Sequence, residues 1–360
     1  MNSMIQLTGE LIMEKTKSTL FWSISFGGPV LLGILMGLVY RTGNSTGIFP
    51  ATWMFLPAAS VMIGQLVAKK KDPSLPKLPM GFIITFLATA VLEVLCCFLP
   101  FFMDGDTVTT IGNIIFTIGS VVALILLCTE KKESREAYGL SLKNVKKGIL
   151  IILLFVAIYL AMNIVPSVIT NLVNGKPAID INANNIAEYI MPIVTFLSLP
   201  ISVFLCFIPY FGEEYGWRYY LQPRLQKKFG KRIGVVILGI VWGLWHAPIN
   251  MFFYSPETVV QGITIQVIAC ICLGLFFAWA YMKTGNIWVV TTIHFLNNNM
   301  AACFTGSDGS GNEYTWANVA FMAALYAVCF VLPVIFSKVF SKDSDAGTKS
   351  ISSEPAAETV

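Results

Sequence analysis

Three small groups of ionisable side chains lie inside long apolar segments of this chain. The first is the adjacent acid pair Glu213 and Glu214, with Arg218 four residues after the second acid. The other two groups are centred on the only two histidines, His246 and His294. Ionisable groups are costly at membrane depth, so those that occur there usually serve a function. The three groups therefore predict one buried reaction site that is assembled from three separate segments.

The acid pair offers a base for hydrolytic chemistry. Glu214 and Arg218 have the spacing that places two side chains on one helical face, in the order that favours ion pairing. Glu213 points about 100° away from Glu214 on the same helix. We expect Arg218 to neutralise Glu214, and Glu213 to face a cavity, where a carboxylate can act as a general base on water. A purely structural Glu–Arg pair at a helix end is the alternative interpretation.

The two histidine groups add proton-transfer and hydrogen-bonding chemistry. His246 can exchange a proton near neutral pH or bind a metal ion. His294 and Asn298 are one helical turn apart, so two side-chain N–H donors can converge there to form an oxyanion hole. The structural alternatives are a His246 hydrogen bond to a backbone carbonyl that Pro248 leaves free, and interhelical hydrogen bonds by the asparagine.

The composition fixes the class of fold that must position these residues. Hydrophobic residues make up 56% of the chain and charged residues 12%, and the mean hydropathy is +0.71. Soluble domains contain roughly 25% charged residues. The apolar runs are long enough for membrane helices and lack the alternation of β-barrel strands. We therefore predict an all-α fold, a polytopic transmembrane helical bundle with about ten spans, within a range of eight to ten.

Apolar runs and basic loops give a topology. The predicted spans lie near 19–40, 48–68, 80–103, 108–128, 148–169, 191–222, 233–253, 260–282, 286–304 and 316–339. With both termini cytoplasmic, the outer loops contain only Arg41 and Lys176 as basic residues, and most other lysines and arginines are inside. The 8 cysteines fall in or beside apolar runs, which argues against a disulfide framework.

This topology allows the depth of each group to be estimated. A helix rises 1.5 Å per residue, so Glu213 and His294 lie roughly 16 Å below the nearest cytoplasmic cation. His246 lies roughly 21 Å below its own nearest cation. The three side chains are thus predicted to converge near mid-membrane, at a site that opens toward the cytoplasm.

The order of the three motifs resembles that of a known family. EExxxR, then an aromatic residue four before a histidine, then HxxxN, is similar to the pattern of the CPBP intramembrane proteases, also called the Abi or type II CAAX-protease family. The resemblance covers roughly residues 190–304. Trp242 stands where the family usually has phenylalanine, and we expect its ring to pack rather than react.

The resemblance implies a role for each matched residue. Glu213 would be the general base on the attacking water, which His246 would help to orient. Glu214 would be held by Arg218, and His294 with Asn298 would stabilise the oxyanion. The family has been described both as metalloproteases and as glutamate proteases. We favour catalysis without a resident cofactor, and the alternative is zinc on Glu213, His246 and His294, although no HExxH motif is present.

These observations predict an intramembrane endopeptidase of a bacterial plasma membrane, with the lipid bilayer and a membrane protein or peptide substrate as partners and no nucleic acid. The alternatives are a proton-coupled transporter and a non-catalytic scaffold or regulator. The substrate and the oligomeric state stay open. The predicted divisions are a cytoplasmic lead (1–18), spans without a motif (19–185), the protease core (186–304), a last span (305–339) and a disordered cytoplasmic tail (340–360).

Overall fold

The chain folds as a bundle of helices. The computed structural model describes residues 2–175, 177, 186–305 and 309–341, and these residues contain no strand. The helices are α1 (Asn2–Trp22), α2 (Gly28–Arg41), α3 (Ile48–Lys71), α4 (Met80–Cys96), α5 (Gly105–Thr129), α6 (Lys132–Ala137), α7 (Val145–Val173), α8 (Ile186–Cys206), α9 (Ile208–Glu214), α10 (Gln222–Phe229), α11 (Lys231–Trp245), α12 (Ala247–Ile249), α13 (Val259–Thr284), α14 (Ile287–Thr305), α15 (Trp316–Tyr326) and α16 (Leu332–Ile335). The predicted all-α class is confirmed.

Eight helical segments of the described residues are long and apolar enough to cross a membrane. They are Leu11–Arg41, Ile48–Lys71, Met80–Phe101, Gly105–Thr129, Val145–Val173, Lys231–Tyr254, Pro256–Thr284 and Trp316–Ile335. A ninth would be the pair Pro192–Cys206 and Ile208–Phe229, which is bent by 72°. These numbers fall within the predicted range but below ten. The predicted span that is missing from this set is 286–304, which corresponds to α14. His294 and three consecutive asparagines reduce the apolar character of that helix.

The structure describes the predicted N-terminal division from Asn2 onward, but only the first two residues of the predicted C-terminal tail. Helix α1 starts at Asn2, and a π-helical turn at Ser23–Gly27 joins it to α2. The first candidate span starts at Leu11, so the helix has no break at residue 18. The predicted disordered tail lies outside the described residues beyond Ser341. The cytoplasmic placement of both termini stays a prediction. All eight cysteines are free thiols.

Two glycines set the distance from α3 to α9 and to the π-helical segment Tyr215–Leu221 that follows α9. A Cβ added to Gly212 would collide with the backbone carbonyl of Met54, and one added to Gly216 would collide with Pro57. Small residues four apart let two membrane helices approach closely. Because the glycines face α3, Glu213 and Glu214 are directed to other faces of the same segment. This packing orients the acid pair.

A second pair of glycines sets the distance between α11 and α13. A Cβ on Gly239 would lie 2.6 Å from the Cα of Ile271, and one on Gly243 would lie 2.5 Å from the Cα of Val267. The close approach fixes the rotation of α11 and therefore the direction of Trp242. Aromatic rings complete the scaffold, since Phe211 of α9 stacks on Trp288 of α14 at 5.2 Å between ring centroids.

Candidate active site

Glu213 is buried and held by two tryptophan side chains. The indole nitrogens Nε1 of Trp217 and Trp242 donate hydrogen bonds to the same carboxylate oxygen, Oε2, at 3.2 Å and 2.5 Å. Only 1% of the glutamate is exposed. Among the described residues, no hydrogen bond reaches its second oxygen, Oε1. The two indoles therefore fix the carboxylate and leave Oε1 as the oxygen that can take up a proton.

Glu214 is bonded to both Arg218 and His294. Its Oε2 accepts a hydrogen bond from Nε of Arg218 at 2.9 Å, which is the predicted pair. Its Oε1 lies 2.9 Å from Nδ1 of His294. An ionised carboxylate only accepts hydrogen bonds, so Nδ1 of His294 carries the proton. Glu214 thus orients His294 and leaves its Nε2 as the nitrogen without a partner in the described protein.

Arg218 is fully buried, and aromatic rings compensate part of its charge. Its guanidinium carbon lies 5.1 Å from the ring centroid of Trp242 and 5.5 Å from that of Phe277. Its two terminal nitrogens have no hydrogen-bond partner among the described residues. A desolvated cation over an aromatic face gains about 2 kcal/mol or more. The charge is therefore shared between Glu214 and two rings, which fixes both the acid and Trp242.

His246 directly follows α11 and is oriented by the residue one turn before it. Its Nδ1 lies 2.8 Å from the carbonyl oxygen of Trp242, an atom that can only accept a hydrogen bond. Nδ1 therefore carries the proton, and in the neutral ring Nε2 keeps its lone pair. The residue is 8% exposed. His246 is thus set up to accept a proton or a water hydrogen through Nε2.

Trp242 is the side chain around which the site assembles. Besides its bond to Glu213, its ring centroid lies 6.1 Å from that of His246 and 5.5 Å from that of His294. The structure thus brings together residues from α9, from the end of α11 and from α14. These are the three segments in which the sequence motifs lie.

Irregular helical geometry accompanies the site residues. Tyr215–Leu221, which carries Trp217 and Arg218, is π-helical, as is Asn250–Tyr254 after His246. Single π turns inside α-helices occur frequently at functional sites. Pro248, two residues after His246, has no backbone N–H to donate, and α11 ends at Trp245, just before the histidine.

Comparisons with known proteins match the segment that contains these residues. Residues 195–300 match the family model described as type II CAAX prenyl endopeptidase Rce1-like. The chain is also 27% identical over 103 residues to CAAX prenyl protease 2 of Methanococcus maripaludis. Both matches support the resemblance of this segment to the CPBP family. The alignment covers 27% of this chain and 38% of that relative, so the chain spans well under half the length of the curated protein that it matches.

The matched segment contains all six predicted site residues, and all of them except Asn298 are buried. Asn298 is exposed, and its side-chain oxygen accepts a hydrogen bond from Asn297 at 2.9 Å. It lies one turn beyond His294 on α14, where that helix has an exposed face. The role of Asn298 in an oxyanion hole stays a prediction. Its neighbour Asn299 donates to the hydroxyl of Tyr210 at 2.8 Å and serves helix packing.

Two indole contacts add to what was expected of this segment. Trp217, one helical turn after Glu213, shares its face and bonds its carboxylate. That Glu213 faces a cavity stays a prediction. Trp242 was expected to pack rather than react, and its indole N–H also bonds Glu213, which the phenylalanine usual in the family could not do. The spacing of one turn between Glu213 and Trp217 was the signal in the sequence for the first contact, whereas the second contact joins two different helices.

The alternative zinc set does not fit the positions of the side chains. Among the described residues, no group of three His, Cys, Asp or Glu side chains is placed to hold a metal ion. We therefore derive no step through a metal ion.

Proposed function

We propose that this protein is an intramembrane endopeptidase in which Glu213 is the general base. The observation that carries the proposal is the convergence of Glu213, His246 and His294 around Trp242, from three separate helical segments of the CPBP region. A buried carboxylate beside two oriented imidazoles, each with one nitrogen free of protein hydrogen bonds, matches what water activation requires.

The first chemical step is attack by water on a peptide carbonyl. A water molecule between Oε1 of Glu213 and Nε2 of His246 transfers one proton to the carboxylate as its oxygen bonds the carbonyl carbon. The carbonyl π electrons move to the oxygen, which becomes an oxyanion. His294, held by Glu214 through Nδ1, can donate from Nε2 to this oxygen when its ring is protonated, and Asn298 is the proposed second donor.

The second step breaks the carbon–nitrogen bond. The oxyanion electrons re-form the carbonyl, the C–N bond pair leaves with the amine nitrogen, and that nitrogen takes the proton held by Glu213. The products are a carboxylic acid and an amine, and Glu213 returns to its carboxylate form. Trp217, Trp242, Arg218 and Glu214 keep the groups in position through both steps and exchange no proton with the substrate.

The substrate is a membrane-associated protein or peptide. A peptide bond in a membrane helix has its carbonyl occupied in hydrogen bonds, so it must be unwound before water can attack it. Since the related curated protein is described as a CAAX prenyl protease, prenylated C-terminal peptides are the first substrates to test. We further propose that the site opens to the cytoplasm of a bacterial plasma membrane.

The test is peptide cleavage by the purified, reconstituted protein. Mass spectrometry of a library of membrane-anchored and prenylated peptides would compare wild type, Glu213→Gln and Glu257→Gln. Glu257 is an exposed acid outside the site and controls for the loss of a charge. We expect Glu213→Gln to lose at least about 100-fold in rate, which is the usual contribution of a positioned base. Excess chelator should leave the wild-type rate unchanged.

Two outcomes would contradict the proposal. Loss of wild-type activity in chelator, restored by zinc, would replace general-base catalysis with metal-assisted hydrolysis. Absence of cleavage across the library, with full function of Glu213→Gln in a deletion strain, would favour a non-catalytic scaffold.

A further inference from the structure

A large cavity lies apart from the candidate active site, at the end of the bundle where basic residues gather. Its volume is about 1160 Å³, and its walls come from several helices, among them α3, α10, α11 and the end of α13. Neither Glu213 nor either histidine lines it. Ligand pockets usually measure about 300–1000 Å³, so this cavity is large enough for a sizeable ligand.

Cations outnumber acids in the lining of this cavity. Its ionisable lining residues, apart from tyrosines, comprise one acid, Glu136, and six cations: Lys17, Lys143, Arg224, Lys227, Lys231 and Arg232. Glu14 balances two of the cations, since it pairs with Lys17 at 3.0 Å and with Arg224 at 3.1 Å. Within the described part of the chain, the structure records no ion pair for Lys143, Lys227 or Arg232. The cavity therefore carries a net positive charge.

The same cavity combines this charge with apolar and hydrogen-bonding surface. Phe229 and Ile233 line it and are 39% and 61% exposed, so they offer apolar surface beside the cations. The side-chain oxygen of Gln222 is buried in its wall and accepts no hydrogen bond from the described residues. A ligand that fits would carry negative charge, a hydroxyl donor and an apolar portion.

We propose that this cavity binds the headgroup of an anionic phospholipid, a phosphate diester that carries hydroxyl groups. The phosphate contacts Lys143 and Lys227, a headgroup hydroxyl donates to Gln222, and the acyl chains leave the cavity along Phe229 and Ile233. Basic pockets between membrane helices on the cytoplasmic side are known to bind lipid phosphates. The proposal does not depend on proteolysis, because none of these residues belongs to the candidate active site.

The experiment is lipid binding to the purified full-length protein, measured by native mass spectrometry with phosphatidylglycerol and phosphatidylcholine. We expect a clear preference of the wild type for phosphatidylglycerol. Lys143→Gln/Lys227→Gln should bind it about 30-fold more weakly, because each cation near an anionic lipid contributes about fivefold. Lys143→Arg/Lys227→Arg keeps the charge and should bind like the wild type.

The matched control is Lys70→Gln/Lys71→Gln, which removes two exposed charges at the end of α3 but leaves the cavity lining unchanged. This control should retain wild-type affinity. Equal loss in the cavity variant and the control, or no preference between the two lipids, would overturn the proposal. Competition by glycerol 3-phosphate distinguishes a soluble phosphate ester from an intact lipid as the ligand. Competition at millimolar concentration would assign the cavity to a soluble phosphate ester. A lack of competition would assign the cavity to the intact lipid.

Discussion

Nδ1 of His294 lies 2.9 Å from Oε1 of Glu214, although the two residues are eighty positions apart in the chain. The contact joins α14 to α9, and Arg218 holds the other oxygen of the same carboxylate. One buried acid therefore orients a histidine and an arginine at once. The three side chains form a unit whose parts depend on each other.

Because of this dependence, Glu214→Gln should destabilise the protein. It leaves the fully buried Arg218 without its counter-charge, and breaking a buried ion pair costs about 3–5 kcal/mol. The double variant Glu214→Gln/Arg218→Met should cost clearly less than the sum of the two single changes. The measurement is the free energy of unfolding in detergent. Additive effects would show that the two side chains do not interact.

Trp242→Phe should reduce peptide hydrolysis without unfolding the protein. The change keeps an aromatic ring against Arg218 and His294 but removes one of the two N–H donors to Glu213. A hydrogen bond to a charged group contributes about 1.5–3 kcal/mol, so we expect a loss of at least about tenfold in kcat. Trp279→Phe is the control, because its indole N–H bonds Ser337 instead. Equal rates for the two variants would mean that the indole of Trp242 only packs.

Gly216→Ala should weaken the packing of the acid pair's segment on α3. The new Cβ would meet the side chain and backbone of Pro57, and proline cannot rotate away. We expect a cost of about 1–3 kcal/mol in unfolding free energy, together with reduced activity, because Trp217 and Arg218 lie in the displaced segment. Gly27→Ala is the matched control, since its Cβ would meet no atom within 4 Å. That change should be neutral or slightly stabilising.

Asn298→Ala tests whether the exposed asparagine serves the reaction. If its amide turns toward the oxyanion when substrate binds, its loss should lower kcat by about 100-fold or more, with little change in unfolding free energy. Asn297→Ala removes the hydrogen bond between the two amides and should leave kcat near the wild-type value. Identical rates for Asn298→Ala and wild type would remove Asn298 from the mechanism and leave His294 as the oxyanion donor.

The sequence by itself determined the fold class and the three segments that meet. Apolar runs specify membrane helices because a bilayer offers the backbone no other hydrogen-bond partners. The pairing of Glu214 with Arg218 was also predictable, because residues four apart on a helix always lie close together. The contacts of Glu213 with Trp217 and of Trp242 with His246 follow from the same spacing of one helical turn.

Only the tertiary structure decided which of these local groups contact each other across helices. The bonds from Glu214 to His294 and from Trp242 to Glu213 depend on the rotation of α9, α11 and α14 about their axes. Glycine contacts with neighbouring helices set the rotation of α9 and α11, and spacing along one segment contains no information about its neighbours. For the same reason the exposed position of Asn298 and the basic cavity could not be read from motifs. Asn298 shares a helical face with the buried His294, but it lies one turn further along α14 and is exposed.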